Sequence, residues 1–122
     1  MERWKFGLDN DKLVSLVLKG EKTATTTLLG GYNGNIPKIG DKSIIMYSYG
    51  KDACIIENVK VIVTEFKNIT KELAFLEGEG DKSLEYYRKS HIEFFKTRDI
   101  NFNDDTMVVF EIFKVIEKFD KN

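Results

Sequence analysis

The sequence predicts an α+β fold: a small, mostly antiparallel β-barrel with helices across its openings. Three observations carry this. Consecutive β-rich stretches fill residues 23–29, 43–49 and 53–66, with only turns and loops between them. Helical patterns interrupt the strands instead of alternating with them. The chain then closes on an apolar run over residues 107–116. The resulting order is β-α-β-β-β-α-α-β, in one domain spanning residues 1–122.

Each element has its own signal. Trp4 to Leu8 reads as a short strand or anchoring segment. Asp9 or Asn10 can cap a helix, with Asp11 in its first turn to complement the dipole. Leu13, Leu16 and Val17 keep helical spacing, and Gly20 ends the helix as its C′ residue, giving a helix over residues 10–19. Threonine-rich residues 23–29 form a strand. Glycines and asparagines make residues 30–35 a loop beside Pro37, the one proline. Residues 43–49 are the next strand, and Gly50-Lys51-Asp52 is a hairpin turn. The stretch 53–66 is a long strand, bent near Glu57-Asn58, with Val59, Val61 and Val63 on one face. Residues 68–76 form a short helix capped by Asn68 or Thr70. Asp81 or Ser83 caps a longer one over 84–96, with Leu84, Tyr87, Arg88, His91, Phe94 and Phe95 on one side. The run 107–116 reads as a strand buried on both faces.

Composition excludes several classes. The chain has 122 residues, is 42% hydrophobic and 32% charged, and carries a net charge of −1, an ordinary globular balance and not a disordered one. A near-neutral charge argues against non-specific gripping of long nucleic acid, which needs a basic face. The one cysteine, Cys54, excludes an internal disulfide and a cysteine metal cluster, and its apolar neighbours make it a core thiol. No apolar run reaches the ~20 residues that span a bilayer, and the N-terminal residues carry no signal-peptide apolar region, so a cytoplasmic location is expected. One histidine leaves Ser-His-Asp and multi-histidine zinc sites unsupported. No phosphate-cradling glycine loop precedes a helix. No cofactor and no metal are expected.

What remains is Lys22 with the threonines after it, the acidic turn Glu77-Gly78-Glu79-Gly80-Asp81, and His91. Lys22 is either a solvated lysine at a helix C-terminus or a partly buried amine facing a pocket, its pKa lowered by desolvation. Alternation puts Thr23, Thr25 and Thr27 on one strand face and Ala24, Thr26 and Leu28 on the other. Lys22 and Thr25 therefore converge only if the chain turns at residues 22–23. The acidic turn is either a solvated cap or a carboxylate aimed at a pocket. His91 reads as a core histidine, with Arg88 placed to pair with an acidic-turn carboxylate. Trp4, Tyr32, Tyr47 and Tyr49 could offer a stacking surface for a base.

Gly20-Glu21-Lys22-Thr23-Ala24-Thr25-Thr26-Thr27 resembles the Gly-x-Lys-x-x-x-x-Arg signature of the ASCH domain family, and the likeness covers nearly the whole chain. The segment from Glu77 to Leu84, running into Tyr87-Arg88 and His91, is similar to the family's second characteristic stretch. The resemblance implies a PUA-like barrel that acts on or binds RNA or a nucleoside. Some small members of the family are amidohydrolases that remove acetyl from N4-acetylcytidine with a lysine, a threonine and a glutamate. By motif position these are Lys22, Thr25 and Glu79, with Glu77 the alternative carboxylate. Thr27 stands where the signature has arginine, so Arg88 is the expected replacement, and Thr27, Arg88, Glu77 and Tyr47 are the expected substrate-binding residues. The implied mechanism has Lys22, kept neutral by burial, activating the Thr25 hydroxyl, while Glu79 passes a proton to the departing amine. Two further readings stay open: a non-catalytic RNA-binding module with a basic rim, and a metal-dependent ribonuclease using Glu77, Glu79 and Asp81.

Overall fold

The structure is a computed structural model that describes residues 1–119. Its elements follow the predicted order: β1 Glu2–Trp4, α1 Asn10–Leu18, β2 Ala24–Leu28, β3 Lys42–Met46, β4 Asp52–Glu65, α2 Lys71–Glu77, α3 Leu84–Arg98 and β5 Met107–Lys118. Short 3-10 turns at Leu29–Tyr32 and Phe66–Asn68 follow β2 and β4. The five strands form one mixed sheet in the order β1-β3-β4-β5-β2, curved into a half-barrel. Only β1 pairs in parallel, with β3, and the other pairings are antiparallel.

Two apolar clusters hold the helices to this sheet. Val14 and Val17 of α1 pack with Ile45, Tyr47, Cys54, Ile56 and Phe113. Tyr87 and Phe95 of α3 and Ala74 of α2 pack with Phe66, Phe102, Val108 and Phe110. The long strand β4 serves both because its pairing with β5 slips between Asn58 and Lys60, where Val59 is the extra residue. Such a bulge bends the strand and changes which side chains face inward. The bend thus lies beside the Glu57-Asn58 position expected from the sequence. Val59 and Val63, about two-fifths exposed, lie on the outer face. The closing strand is buried on both faces only over Val108, Val109 and Phe110; beyond Glu111 its outer residues reach solvent, and Ile116 is exposed.

The caps decide how the chain enters the site. Gly20 has φ +79°, the Glu21 amide donates to the Leu16 carbonyl at 2.9 Å, and the Gly20 amide donates to Val17 at 3.0 Å. This is the Schellman arrangement, which reverses the chain after α1. Ser83 caps α3 and Thr70 caps α2 through their side chains. At α1 the expected aspartate cap is not used: Asp9 is left-handed and makes no side-chain capping bond, while the Asn10 side chain accepts from the Phe6 amide at 2.7 Å and donates to the Met46 carbonyl at 2.9 Å. Asp11 instead binds the Ser48 amide and hydroxyl. Cys54 is buried, and burial pushes its thiol pKa up to about 11, as an inert core thiol requires. Among the described residues no helix is long and apolar enough to cross a membrane.

Candidate functional site

The chain reversal at Gly20–Glu21 sends Lys22 inward, into the seam between the two apolar clusters. The Thr23 amide then donates to the Leu76 carbonyl at 2.8 Å, fastening the start of β2 to the last turn of α2. Gly78 makes that approach feasible. It lies at φ +70°, and a Cβ there would sit 2.0 Å from the Glu21 carbonyl oxygen. On either side of this glycine, Glu77 and Glu79 reach the same cation.

Lys22 is 1% exposed. Its Nζ donates to Glu77 Oε1 at 2.7 Å, to Glu79 Oε2 at 2.8 Å and to the Ala24 carbonyl at 2.8 Å, and it lies 5.3 Å from the centre of the Phe6 ring. The second Glu77 oxygen accepts from the Thr26 hydroxyl at 2.5 Å and faces His91 Nε2 at 3.4 Å. The Thr26 and Tyr87 hydroxyls are 2.8 Å apart, and His91 Nδ1 donates to the Tyr87 carbonyl at 2.8 Å. That second contact directs Nε2 at the carboxylate.

The charges follow from this geometry. Burial alone would depress the Lys22 pKa, but the two carboxylates outweigh it and hold the ammonium above its ordinary value. Burial would raise Glu77, yet Lys22 and His91 keep it well below the usual carboxylate range. Glu79 moves the other way: burial and the neighbouring Glu77 charge raise it, against the pull of Lys22. Burial disfavours His91 charging, and Glu77 reverses that and raises its pKa. The cluster therefore contains one firm anion, one firm cation and, at Glu79, a carboxyl shifted toward accepting a proton. Glu77 and Glu79 are pushed in opposite directions, a pattern that marks candidate acid–base sites.

This cluster forms part of the wall of a cavity of about 1130 Å³. Lys22, Thr25, Thr26, Thr27, Glu77, Glu79 and His91 all line it, with Phe6, Tyr86 and Phe94 among the aromatic lining. The expected pair of Lys22 with an acidic-turn glutamate is thus present, and both candidate glutamates take part. Thr25 pairs across the sheet with Glu111, on the opposite strand face from Thr26. The two remaining substrate-binding expectations go elsewhere. Arg88 donates to Asp104 at 2.8 Å and lies over the Phe66 ring, because its place on α3 turns it toward the loop before β5. Tyr47 is buried against α1 and stacks on Tyr49, with ring centres 5.3 Å apart, away from this cavity. Neither lines it.

The neutral lysine is corrected by the same contacts. The expectation of deep burial holds, but two carboxylates reverse the direction of the pKa shift. Asp81 also stands apart, with its carboxylate accepting from the Ser83 amide at 2.9 Å. Glu77, Glu79 and His91 do bring ligand atoms within 4.8 Å of one another, but Lys22 Nζ is bonded to both carboxylates and fills the cation position between them. Thr26 and Tyr87 are participants that sequence reasoning did not select. The signal for Thr26 was the strand alternation itself, which set it on the helix-facing side with Ala24.

The ASCH domain profile matches residues 2–117 of the chain. No curated protein matches it. Among solved structures, an ASCH domain from Lactobacillus crispatus JV V101 superposes with a TM-score of 0.88 at 30% identity, covering 95% of this chain and 79% of that one. A protein from Enterococcus faecalis V583 gives 0.87 at 28% identity, covering 97% and 77%. An ASCH protein from Zymomonas mobilis gives 0.53 at 9% identity, covering 98% and 73%, which is a likeness of fold alone.

Proposed function

Because this chain belongs to the ASCH domain family, a PUA-like group whose members generally bind RNA, we propose that its cavity takes a nucleoside and hydrolyses an amide on the base, as in N4-acetylcytidine. The observation that carries this reading is the buried Lys22 ammonium beside Glu79, a carboxyl shifted toward protonation, on the wall of a cavity large enough to admit a nucleoside.

The chemistry divides among named groups. Lys22 is charged, so it does not act as a base; its three N–H groups already serve Glu77, Glu79 and the Ala24 carbonyl, and its charge stabilises the negative charge that forms on the amide oxygen. Glu77 keeps that ammonium ionised and fixed. The proposed nucleophile is the Thr25 hydroxyl, which leaves β2 on the face opposite Thr26 but lines the same cavity as Lys22 and Glu79, while Thr26 is committed to Glu77 and Tyr87. Glu79, in its ionised form, takes the Thr25 proton as the oxygen attacks the carbonyl carbon. It returns that proton to the amine nitrogen as the carbon–nitrogen bond breaks. Water then cleaves the threonine ester, with Glu79 receiving its proton and handing it to the departing threonine oxygen.

The charged residues around the cavity support a neutral ligand. Lys5, Lys12, Lys42 and Arg98 are matched by Glu2, Asp9, Asp41 and Asp99. A phosphate chain would call for an excess of cations there. The test is release of cytidine from N4-acetylcytidine, followed chromatographically. The wild-type protein should release it, and Glu79→Gln and Thr25→Val should each slow release by roughly 10²-fold or more, the scale of lost proton transfer or nucleophile. Absence of release by the wild type, together with salt-sensitive retention of RNA, would overturn the enzyme in favour of a binding module.

A further inference from the structure

The same cavity has a second polar wall that the reaction above does not use. Its centre is Glu111 of β5, cross-strand neighbour of Thr25. Tyr32 donates its hydroxyl to Glu111 Oε1 at 2.7 Å, and Asn58 donates its side-chain amide to Oε2 at 2.9 Å. Asn58 is 4% exposed. Burial and the Glu111 charge push the Tyr32 pKa upward, so the phenol stays protonated and remains a donor. Tyr32, Asn58, Thr27 and Glu111 all line the cavity.

This wall is built to hold a carboxylate still without neutralising it. Among the described residues, no lysine, arginine or histidine nitrogen lies within salt-bridge distance of Glu111. Thr27 stands where the family signature carries an arginine, and it lines the same cavity as Tyr32. An ionised carboxylate offers about four lone-pair positions, and Tyr32 and Asn58 use two. The open positions call for two neutral O–H or N–H donors at close spacing.

We infer that Glu111 receives the vicinal ribose hydroxyls of the nucleoside, one on each oxygen, and so makes the cavity select ribonucleosides over deoxynucleosides. This rests on the amidohydrolase reading, because it places the base amide at Lys22. Lys22 and Glu111 line different walls of the same cavity, as that placement requires. A carboxylate accepting from ribose hydroxyls is also a recurrent solution in nucleotide sites.

The experiment compares cytidine with deoxycytidine in calorimetric binding, and N4-acetylcytidine with N4-acetyldeoxycytidine in turnover. Wild-type protein should favour the ribose form of each pair by roughly tenfold or more, the value of one hydrogen bond to a charged acceptor. Glu111→Gln should erase most of that preference while still binding deoxycytidine. Tyr32→Phe, which leaves the carboxylate but removes one of its clamps, should reduce the preference partway and so covers the case of a poorly folded Glu111 variant. Equal handling of ribose and deoxyribose by the wild type would overturn the ribose assignment and leave the amidohydrolase standing. A preference that survives in Glu111→Gln would do the same. Failure to bind or turn over any of the four compounds would instead overturn both readings.

Discussion

Replacing Lys22 with methionine removes the one ammonium among two carboxylates while roughly keeping the volume of the side chain. The lysine is buried and makes hydrogen bonds to Glu77, Glu79 and the Ala24 carbonyl, so its loss strands a buried anion as well as a backbone acceptor. Breaking a buried pair from one side costs about 3–5 kcal/mol. For a domain of this size, with an unfolding entropy near 2 cal/mol/K per residue, that corresponds to a fall in Tm of roughly 12–20 °C. The cost should also depend on pH in a definite direction. Without the lysine, Glu77 loses the largest influence that depresses its pKa, and burial, outweighing the remaining His91 contact, raises it above the unfolded value near 4.5. Native Lys22→Met then binds more protons than its unfolded chain between those two values, so its stability rises as pH falls through the raised pKa. The gap from wild type should therefore be wide at pH 7.5 and narrower at pH 5. Thermal unfolding followed by circular dichroism at both values measures it, and adding Glu77→Gln to Lys22→Met should recover part of the loss. A loss under about 1 kcal/mol that is equal at both pH values would refute the buried charge cluster, since that is how an exposed lysine behaves.

Two further outcomes are expected. His91 should titrate above its ordinary 6.5 by NMR in the wild type and lower in Glu77→Gln, because the largest influence opposing burial is then gone. Its linked stability has the corresponding sign: it is present in full below 6.5 and is lost as pH rises through the folded-state value. Gly78→Ala should cost about 2–5 kcal/mol in denaturant unfolding, combining a left-handed backbone with a collision against Glu21. An effect near that of an ordinary surface substitution would show that α2 and the start of β2 do not meet as closely as described.

Much of the fold was legible because its punctuation is local. The Gly20 stop, the Thr70 and Ser83 caps and the glycine-rich turns each act within a few residues, and they order the elements correctly. The pairing of β5 between β4 and β2 was not legible, since it joins segments tens of residues apart with no local marker. The site divides along the same line. Lys22 and the acidic turn stood out by residue type and position. The sign of the Lys22 pKa shift did not, because it is set by carboxylates 55 and 57 residues further along the chain. Arg88 was placed on the inward face by helical spacing alone. That spacing fixes a direction from the helix axis to within a broad arc, and Asp104 lay at its edge to capture the guanidinium. Tyr47 was selected for being aromatic, a property that core and binding surfaces share.

The bulge at Val59 carries a consequence for how this chain can vary. One extra residue lets a single fourteen-residue strand face α1 with its first half and the α2–α3 layer with its second. Deleting that residue would remove this slip, leaving the one between Ile55 and Ile56, and turn one half inside out, exposing either Cys54 and Ile56 or Ile62 while pulling charged neighbours inward. It would also swing Asn58 off Glu111, so the register of the sheet and the setting of the cavity's second wall are one and the same degree of freedom.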